Sequence, residues 1–529
     1  MEAVFDYIII GAGTAGCVLA NRLSENPATR VLLLEAGQQD KGANIHTPAA
    51  FSRLFKGAMD WQYYTEPQSQ LNDRQIYWPR GKVLGGCSST NAMIYIRGNR
   101  ADYDRWEALG NQGWGWQDVL PYFRQAEHNE RGEDALHGTG GLHNVTDLRD
   151  VNPLSYAFVE AAVQTGYPRN TDFNGEQQSG AGFYQVNQKD GQRWSVAKGY
   201  LWPVLNRPNL TTLTNAHATT LTFEGSRVTG VNFQRGKKST QATARREVLL
   251  SGGAINSPQL LLLSGIGSAE QLSALGIKVR ADLPGVGQNL QDHPIMGVHY
   301  FSKQPVSLAR ADTWKNRLQY VLHKRGVFAS NVAEAGLFMR SQPDLPQPDI
   351  QFHFAPSFFM AHGFGEMDVD DAHGYSLGPC LIRPKSHGAI TLRSANPFEH
   401  PVIDPNYFDH PDDVEAMLAG LKAALKIWQA PAFKPYHDRI YRPTIHRQSD
   451  DGLRDYIRNY AETLYHPVGT CKMGNDPLAV VSPELKVHGI AGLRVVDASI
   501  MPDVVGGNTN APVVMIAEKS AEMIKQSQL

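Results

Sequence analysis

Phe5-Asp6-Tyr7-Ile8-Ile9-Ile10-Gly11-Ala12-Gly13-Thr14-Ala15-Gly16, continued by a helix-spaced run to Leu23 and then by Val31-Leu32-Leu33-Leu34-Glu35-Ala36-Gly37, decides the fold. Phe5 to Ile10 is short and mostly apolar, which suits a strand buried on both faces. Cys17 to Leu23 carries apolar residues at helical spacing, and Val31 to Leu34 reads as a second buried strand. Strand, G-x-G-x-x-G, helix, strand, acid is the dinucleotide-binding arrangement. Gly11 permits the tight turn, Gly13 lets backbone approach a pyrophosphate, and Gly16 lets helix and strand pack closely. The helix start at Thr14 and Ala15 offers unpaired N–H groups to phosphate. Glu35, followed by Ala36, is placed to accept from a ribose 2′-OH and would repel a 2′-phosphate. The fingerprint alone does not separate NAD from FAD.

Around this nucleus the chain is 529 residues long, too long for one ordinary domain. It is 42% hydrophobic and 19% charged, a globular composition. Fifty Lys and Arg face 52 Asp and Glu, a net charge of −2 that leaves no basic excess for nucleic acid. The densest basic run, Arg235-Gly236-Lys237-Lys238, reads as a solvated hairpin turn. Mean hydropathy is −0.36, and no window holds the ~18 apolar residues of a membrane span. Asp6 breaks the early apolar run and no basic region precedes it, so a secretory signal is not expected and a cytoplasmic location is. Four dispersed cysteines (Cys17, Cys87, Cys380, Cys471) form neither a disulfide framework nor a metal-ligand pattern; no metal is expected.

Two further segments stand out. Residues 79–98, PRGKVLGGCSSTNAMIYIRG, form a second glycine-rich loop that permits close backbone approach to a flat or phosphorylated ligand. Residues 253–267, GAINSPQLLLLSGIG, read as a glycine turn, a Ser-Pro helix start, an apolar helix and a Gly stop. Near the C-terminus come Tyr465-His466-Pro467-Val468-Gly469-Thr470, then Leu493-Arg494-Val495-Val496-Asp497-Ala498-Ser499, then Gly507-Asn508-Thr509-Asn510-Ala511-Pro512.

Together, in this order, the segments closely resemble the glucose–methanol–choline (GMC) oxidoreductase family, whose members bind FAD. The resemblance spans the chain. It departs at Cys87 and at Thr90, where some relatives carry a histidine bonded to the flavin; a threonine there implies non-covalent FAD. Carried over residue by residue, it implies cofactor contacts at the first fingerprint, at Trp61, and at Gly81, Val83, Gly86, Ser88, Asn91, Ala92 and Met93 of the second loop. It adds Ala218, then Asp497, Ala498, Asn508 and Pro512 from the C-terminal block. His466 matches the catalytic histidine. An imidazole titrates near neutrality and so suits the proton released when an alcohol gives up hydride. Asn510 is taken as the second catalytic residue, an amide able to hydrogen-bond the substrate oxygen; Asn508 competes for that role, and the spacing to the following helix favours Asn510. His293 and His353 read as structural or pocket-lining.

The implied architecture is α/β: a Rossmann-like FAD domain and a substrate domain on a mostly antiparallel sheet of about six strands. The expected segments are 1–155, 210–295 and 462–529 for the FAD domain, and 156–209 and 296–461 for the substrate domain. Asn331 and Glu334 are candidate substrate-pocket residues, Glu334 as a carboxylate that could hold a quaternary ammonium or, equally, serve as a structural group. Phe352, Phe354, Phe358 and Phe359 suggest an apolar wall or a plain core. The expected function is oxidation of primary alcohols to aldehydes, with electrons passed to a quinone or other non-oxygen acceptor. Choline-dehydrogenase-like or polyol activity, an oxidase releasing hydrogen peroxide, and a non-redox lyase that keeps FAD are the alternatives. The resemblance also admits peripheral association with the inner membrane face; it leaves the oligomeric state open.

Overall fold

The computed structural model describes residues 3–359, 362, 369 and 372–527. The opening fingerprint folds as read. Ala3–Ile10 is a strand, Thr14–Leu23 a helix and Val31–Leu34 a second strand whose four residues are all buried. The strands pair in parallel, Tyr7 opposite Val31 and Ile10 opposite Leu34. Their apolar runs are buried on both faces because helices cover the sheet, as parallel strands require.

This first sheet has seven strands from three separated stretches. Leu210–Leu213, Val31–Leu34, Ala3–Ile10 and the end of Lys238–Leu250 lie side by side in parallel, with Leu493–Val495 beyond. The early half of Lys238–Leu250 turns into an antiparallel ribbon with Arg227–Arg235 and Ala216–Glu224. Arg235-Gly236-Lys237-Lys238 is the tip of that ribbon, the hairpin expected from sequence.

The second sheet has eight strands, every pairing antiparallel. Its main path of six runs His437–Arg442, Val298–Ser302, Gly374–Leu381, Ile350–Ala355, Ala335–Met339 and Gly180–Phe183. The short strands Pro294–Ile295 and Glu462–Thr463 pair with each other at its margin, so chain at the edges of the expected FAD segments contributes to the second sheet. Helices Pro153–Gln164 and Pro411–Trp428 pack on this sheet and share its core. Phe352 and Phe354 belong to that core rather than to a cavity wall.

Candidate active site

The two glycine loops are built against each other. A Cβ on Gly16 would stand 1.9 Å from the Gly11 carbonyl oxygen, and one on Gly86, where φ is +52°, would stand 2.8 Å from the Gly13 Cα. The Gly85 N–H donates to the Ala12 carbonyl at 2.7 Å. These contacts tolerate only glycine and hold the second loop over the first helix's N-terminus, which no side chain caps.

Beside them runs a cavity of about 540 Å³ between the sheets. Gly11, Gly13, Thr14, Ala15, Glu35 and Ala36 line one end, with Trp61 and Ala218 nearby; Gly81, Gly86, Asn91, Ala92, Met93, Asp497 and Ala498 follow. His466, Asn508 and Asn510 line it too, with Phe51, Phe55, Ile295 and Phe359 among the apolar residues. Glu35 accepts from the Ala12 N–H (2.9 Å) and the Gly37 N–H (2.7 Å). Burial pushes its carboxyl up to about 7 despite those donors. Asp497 accepts from Gly253 N–H, Ser257 Oγ and Ser499, and so ties the last strand to the Gly253–Leu263 helix. The Lys82 ammonium lies 4.3 Å from the centre of the Trp61 ring.

Some expected contacts fall outside the cavity lining. Gly16, Val83 and Ser88 support the loops from behind, Ser88 by donating to Gly85 O and accepting from Val196 N–H. Pro512 is buried in the C-terminal helix Asn510–Gln526. Asn331 and Glu334, expected as substrate-pocket residues, are not among the residues that line this cavity. The Asn331 amide donates to Ala92 O and Ala333 O at 3.0 Å each. Glu334 is 1% exposed and accepts from Ser330 Oγ (2.6 Å), Ser155 Oγ (2.7 Å) and Asn152 N–H (2.8 Å). Its side chain closes the junction between the strand Ala335–Met339 and the start of helix Pro153–Gln164.

His466 is fixed from three sides. Its backbone N–H donates to Asp292 Oδ1 at 2.7 Å, and Asp292 also accepts from Thr463 Oγ1 (2.5 Å) and from the Tyr407 hydroxyl. Its Nδ1 lies 3.0 Å from His293 Nδ1, and its Nε2 lies 3.3 Å from the Asn508 amide nitrogen. The direction of every bond follows from one carbonyl, since a carbonyl oxygen can only accept. Tyr184 OH donates to Phe352 O, so it accepts from Gln351 Nε2. Gln351 Nε2 also donates to Asn508 Oδ1, which leaves the Asn508 NH₂ facing His466 Nε2. Nε2 therefore carries the lone pair, and Nδ1–H donates to His293. Burial, reinforced by His293, His353 and Arg80, holds the His466 pKa well below its ordinary value, so the ring is neutral at neutral pH.

The amide at His466 is thus Asn508, not Asn510. Asn510 opens the C-terminal helix and its Oδ1 accepts from Thr14 Oγ1 at 2.8 Å. Helical spacing could not distinguish the two, because Asn508 precedes the helix and only the turn decides where it points. Asp292, Gln351 and Arg80 escaped sequence reasoning as parts of the site, and His293, read from sequence as structural or pocket-lining, is the partner of the His466 ring. Asp292 and His293 follow Gln288, Asn289 and Gln291 in one polar loop, so residue type alone did not set them apart.

Comparison with known proteins makes the chain an oxidoreductase that acts on CH–OH groups. The chain belongs to the GMC oxidoreductase family: the family's N-terminal model matches residues 5–295 and its C-terminal model residues 384–517. It is 47% identical to an alcohol dehydrogenase [acceptor] of Pseudomonas putida, covering 98% of this chain and 96% of that one. It is 45% identical to the mitochondrial choline dehydrogenase of Homo sapiens, over 98% and 90% of the two chains. Among solved structures, a variant of Aspergillus oryzae formate oxidase from work on FAD modification superposes with a TM-score of 0.93 at 29% identity, covering 100% of this chain and 99% of that one.

Proposed function

We propose that the chain is an FAD-dependent dehydrogenase of primary aliphatic or aromatic alcohols, binding FAD non-covalently and passing electrons to a quinone or another acceptor than oxygen. The observation that carries the reading is the neutral His466 imidazole, whose Nε2 lone pair is held in place by the Asn508 and His293 bonds. The residues fit FAD: the glycine cradle, the uncapped helix start at Gly13–Thr14 and the Glu35 carboxylate suit a dinucleotide along the cavity. FAD, when bound, supplies the acceptor for the substrate's hydride. Gly11, Gly13 and Gly86 would let the backbone approach its pyrophosphate, and Glu35 would accept from its ribose.

At the other end His466 Nε2 accepts the alcohol's hydroxyl proton as the C–H hydride leaves, and the carbon becomes an aldehyde. The Asn508 NH₂ is placed to donate to the substrate oxygen while negative charge develops there. His293 Nδ1 accepts from the imidazolium's Nδ1–H and stabilises it. Asp292 holds the His466 backbone, so the ring meets the substrate in one orientation. We assign Asn508 the second catalytic role and Asn510 the tether between the C-terminal helix and Thr14.

The cavity supports a neutral substrate over a quaternary ammonium. Among its described lining residues the acids are Glu35, Asp497 and Glu462. The first two face the dinucleotide segments, and Glu462 is paired with His362 (3.1 Å) and Arg74 (3.4 Å). Phe51, Phe55 and Phe359 supply the apolar wall. An alcohol panel with an artificial electron acceptor, run with and without oxygen, tests this reading. Primary alcohols should bleach the flavin anaerobically, little peroxide should form in air, and acid precipitation should leave all flavin in the supernatant. Failure of every alcohol to reduce the flavin would sink it.

A further inference from the structure

The surface helix Trp314–His323 presents an apolar face that none of the described residues covers. Trp314 is 70% exposed, Leu318 47%, Val321 64% and Leu322 64%. At about 100° per residue these four fall within an arc of about 100° on one side of the helix. Tyr320, the helix's only fully buried residue, lies on the opposite side, where its hydroxyl donates to the Gly191 carbonyl at 3.2 Å. Lys315 and Arg317 flank the apolar arc on either side.

The charge around this face runs against that of the whole protein. Residues 310–325 hold five cations (Arg310, Lys315, Arg317, Lys324, Arg325) against the single acid Asp312, in a chain whose net charge is −2. Asp312 is bound by Arg317 (2.5 Å) and by Arg53 (3.1 Å), and Arg325 lies 3.9 Å from Asp150, so among the described residues Lys315 and Lys324 are the cations of this face that carry no ion pair. An apolar face bordered by cations is the pattern of a helix that lies in a lipid interface, its apolar side among acyl chains and its cations at anionic headgroups. A second copy of the chain fits poorly, because an isologous contact would set these cations against themselves.

We propose that the helix Trp314–His323 docks the protein peripherally on an anionic bilayer. Among the described residues no helix is long and apolar enough to cross a membrane, and the docking proposed lies in the interface rather than across it. The helix sits beside the cavity's aromatic wall. The Leu308 N–H before it donates to Pro356 O (2.7 Å), close in sequence to Phe359. Arg53, which binds Asp312, lies on the turn Pro48–Leu54 that carries Phe51. After the helix the chain reaches Val332 and Ala333, which line the cavity. A docked protein would meet apolar alcohols and lipid-soluble acceptors at this wall; that consequence rests on the function proposed above, whereas docking itself does not.

The test is co-sedimentation of the full-length holoprotein with vesicles of phosphatidylcholine alone and of phosphatidylcholine with phosphatidylglycerol, at low and high salt. Binding to the anionic vesicles is expected, falling about tenfold or more at high salt. Trp314→Ser with Leu322→Ser, and separately Lys315→Gln with Lys324→Gln, should each cut that binding about tenfold or more. Both should oxidise a water-soluble alcohol with a soluble acceptor at the parental rate, which reports folding independently of docking. No binding of the parent to anionic vesicles, or binding that neither pair of substitutions weakens, would overturn the proposal. So would a dimer, by light scattering, that the apolar pair of substitutions dissociates.

Discussion

Replacing His293 by leucine probes the site most sharply, because the residue does not itself line the cavity and, in this reading, acts only through the His466 ring. Leucine is apolar and of similar bulk, so the core around it stays filled, and the unpartnered His293 Nε2 is removed with the ring. What is lost is the acceptor 3.0 Å from His466 Nδ1. A buried N–H left without a partner costs about 1–3 kcal/mol, and the His466 imidazole can avoid that cost by moving its proton to Nε2. That tautomer cannot take the alcohol's proton. Either way the reactive form loses roughly 1–3 kcal/mol, which at 1.36 kcal/mol per decade is a fall of about 5- to 150-fold in flavin reduction. The assay is anaerobic stopped-flow reduction at saturating alcohol, with FAD content and thermal unfolding measured on the same samples. FAD content should not change. His293→Asn, whose side-chain carbonyl can accept from Nδ1–H, should recover part of the lost rate. A leucine variant that reduces its flavin at the parental rate would refute the tautomer argument, and so would equal losses in the leucine and asparagine variants.

His466→Ala should retain FAD and slow reduction by ~10²–10⁴-fold, the usual contribution of a positioned general base; an unchanged rate would remove His466 from that role. Asn508→Ala should slow reduction about tenfold or more, whereas Asn510→Ala, which breaks the bond to Thr14, should act mainly on FAD affinity; the opposite pattern in rapid kinetics and FAD titration would restore Asn510 as the catalytic amide. Glu334→Ala leaves two hydroxyls and an amide without their acceptor and should cost about 3 kcal/mol in denaturant unfolding, with the ranking of alcohols unaltered; a change in that ranking would put Glu334 back in the pocket. Stability should fall as pH drops below about 6.5. His293, His299 and His353 are pushed down to about 3 by burial, so the unfolded chain binds protons that the folded chain refuses, and each contributes a loss of about 2 kcal/mol by pH 5. Flat unfolding midpoints from pH 7 to about 5 would contradict this.

The strand–glycine–helix–strand–acid run was legible because it is local. Burial on both faces demands apolar residues without alternation, and the approach of Gly16 to Gly11 leaves room for no side chain. The second glycine loop, the strand before Asp497 and the histidine in His466-Pro467-Val468-Gly469-Thr470 were legible for the same reason. The partners of those residues were not, since they come from distant stretches. The chain that aims His466 begins at the Phe352 carbonyl and passes through Tyr184, Gln351 and Asn508, which no spacing in the sequence connects.

The sequence by itself determined that a dinucleotide cradle forms and that an imidazole and an amide stand near the C-terminus, because residue type and short-range spacing dictate both. Only the tertiary structure decided that Asn508 rather than Asn510 faces the imidazole, that Glu334 is buried between a strand and a helix, and that Trp314–His323 leaves its apolar side in solvent. Each of those outcomes depends on where a turn sends a side chain relative to a strand or helix far away in sequence. Packing settles that direction, and local propensity does not.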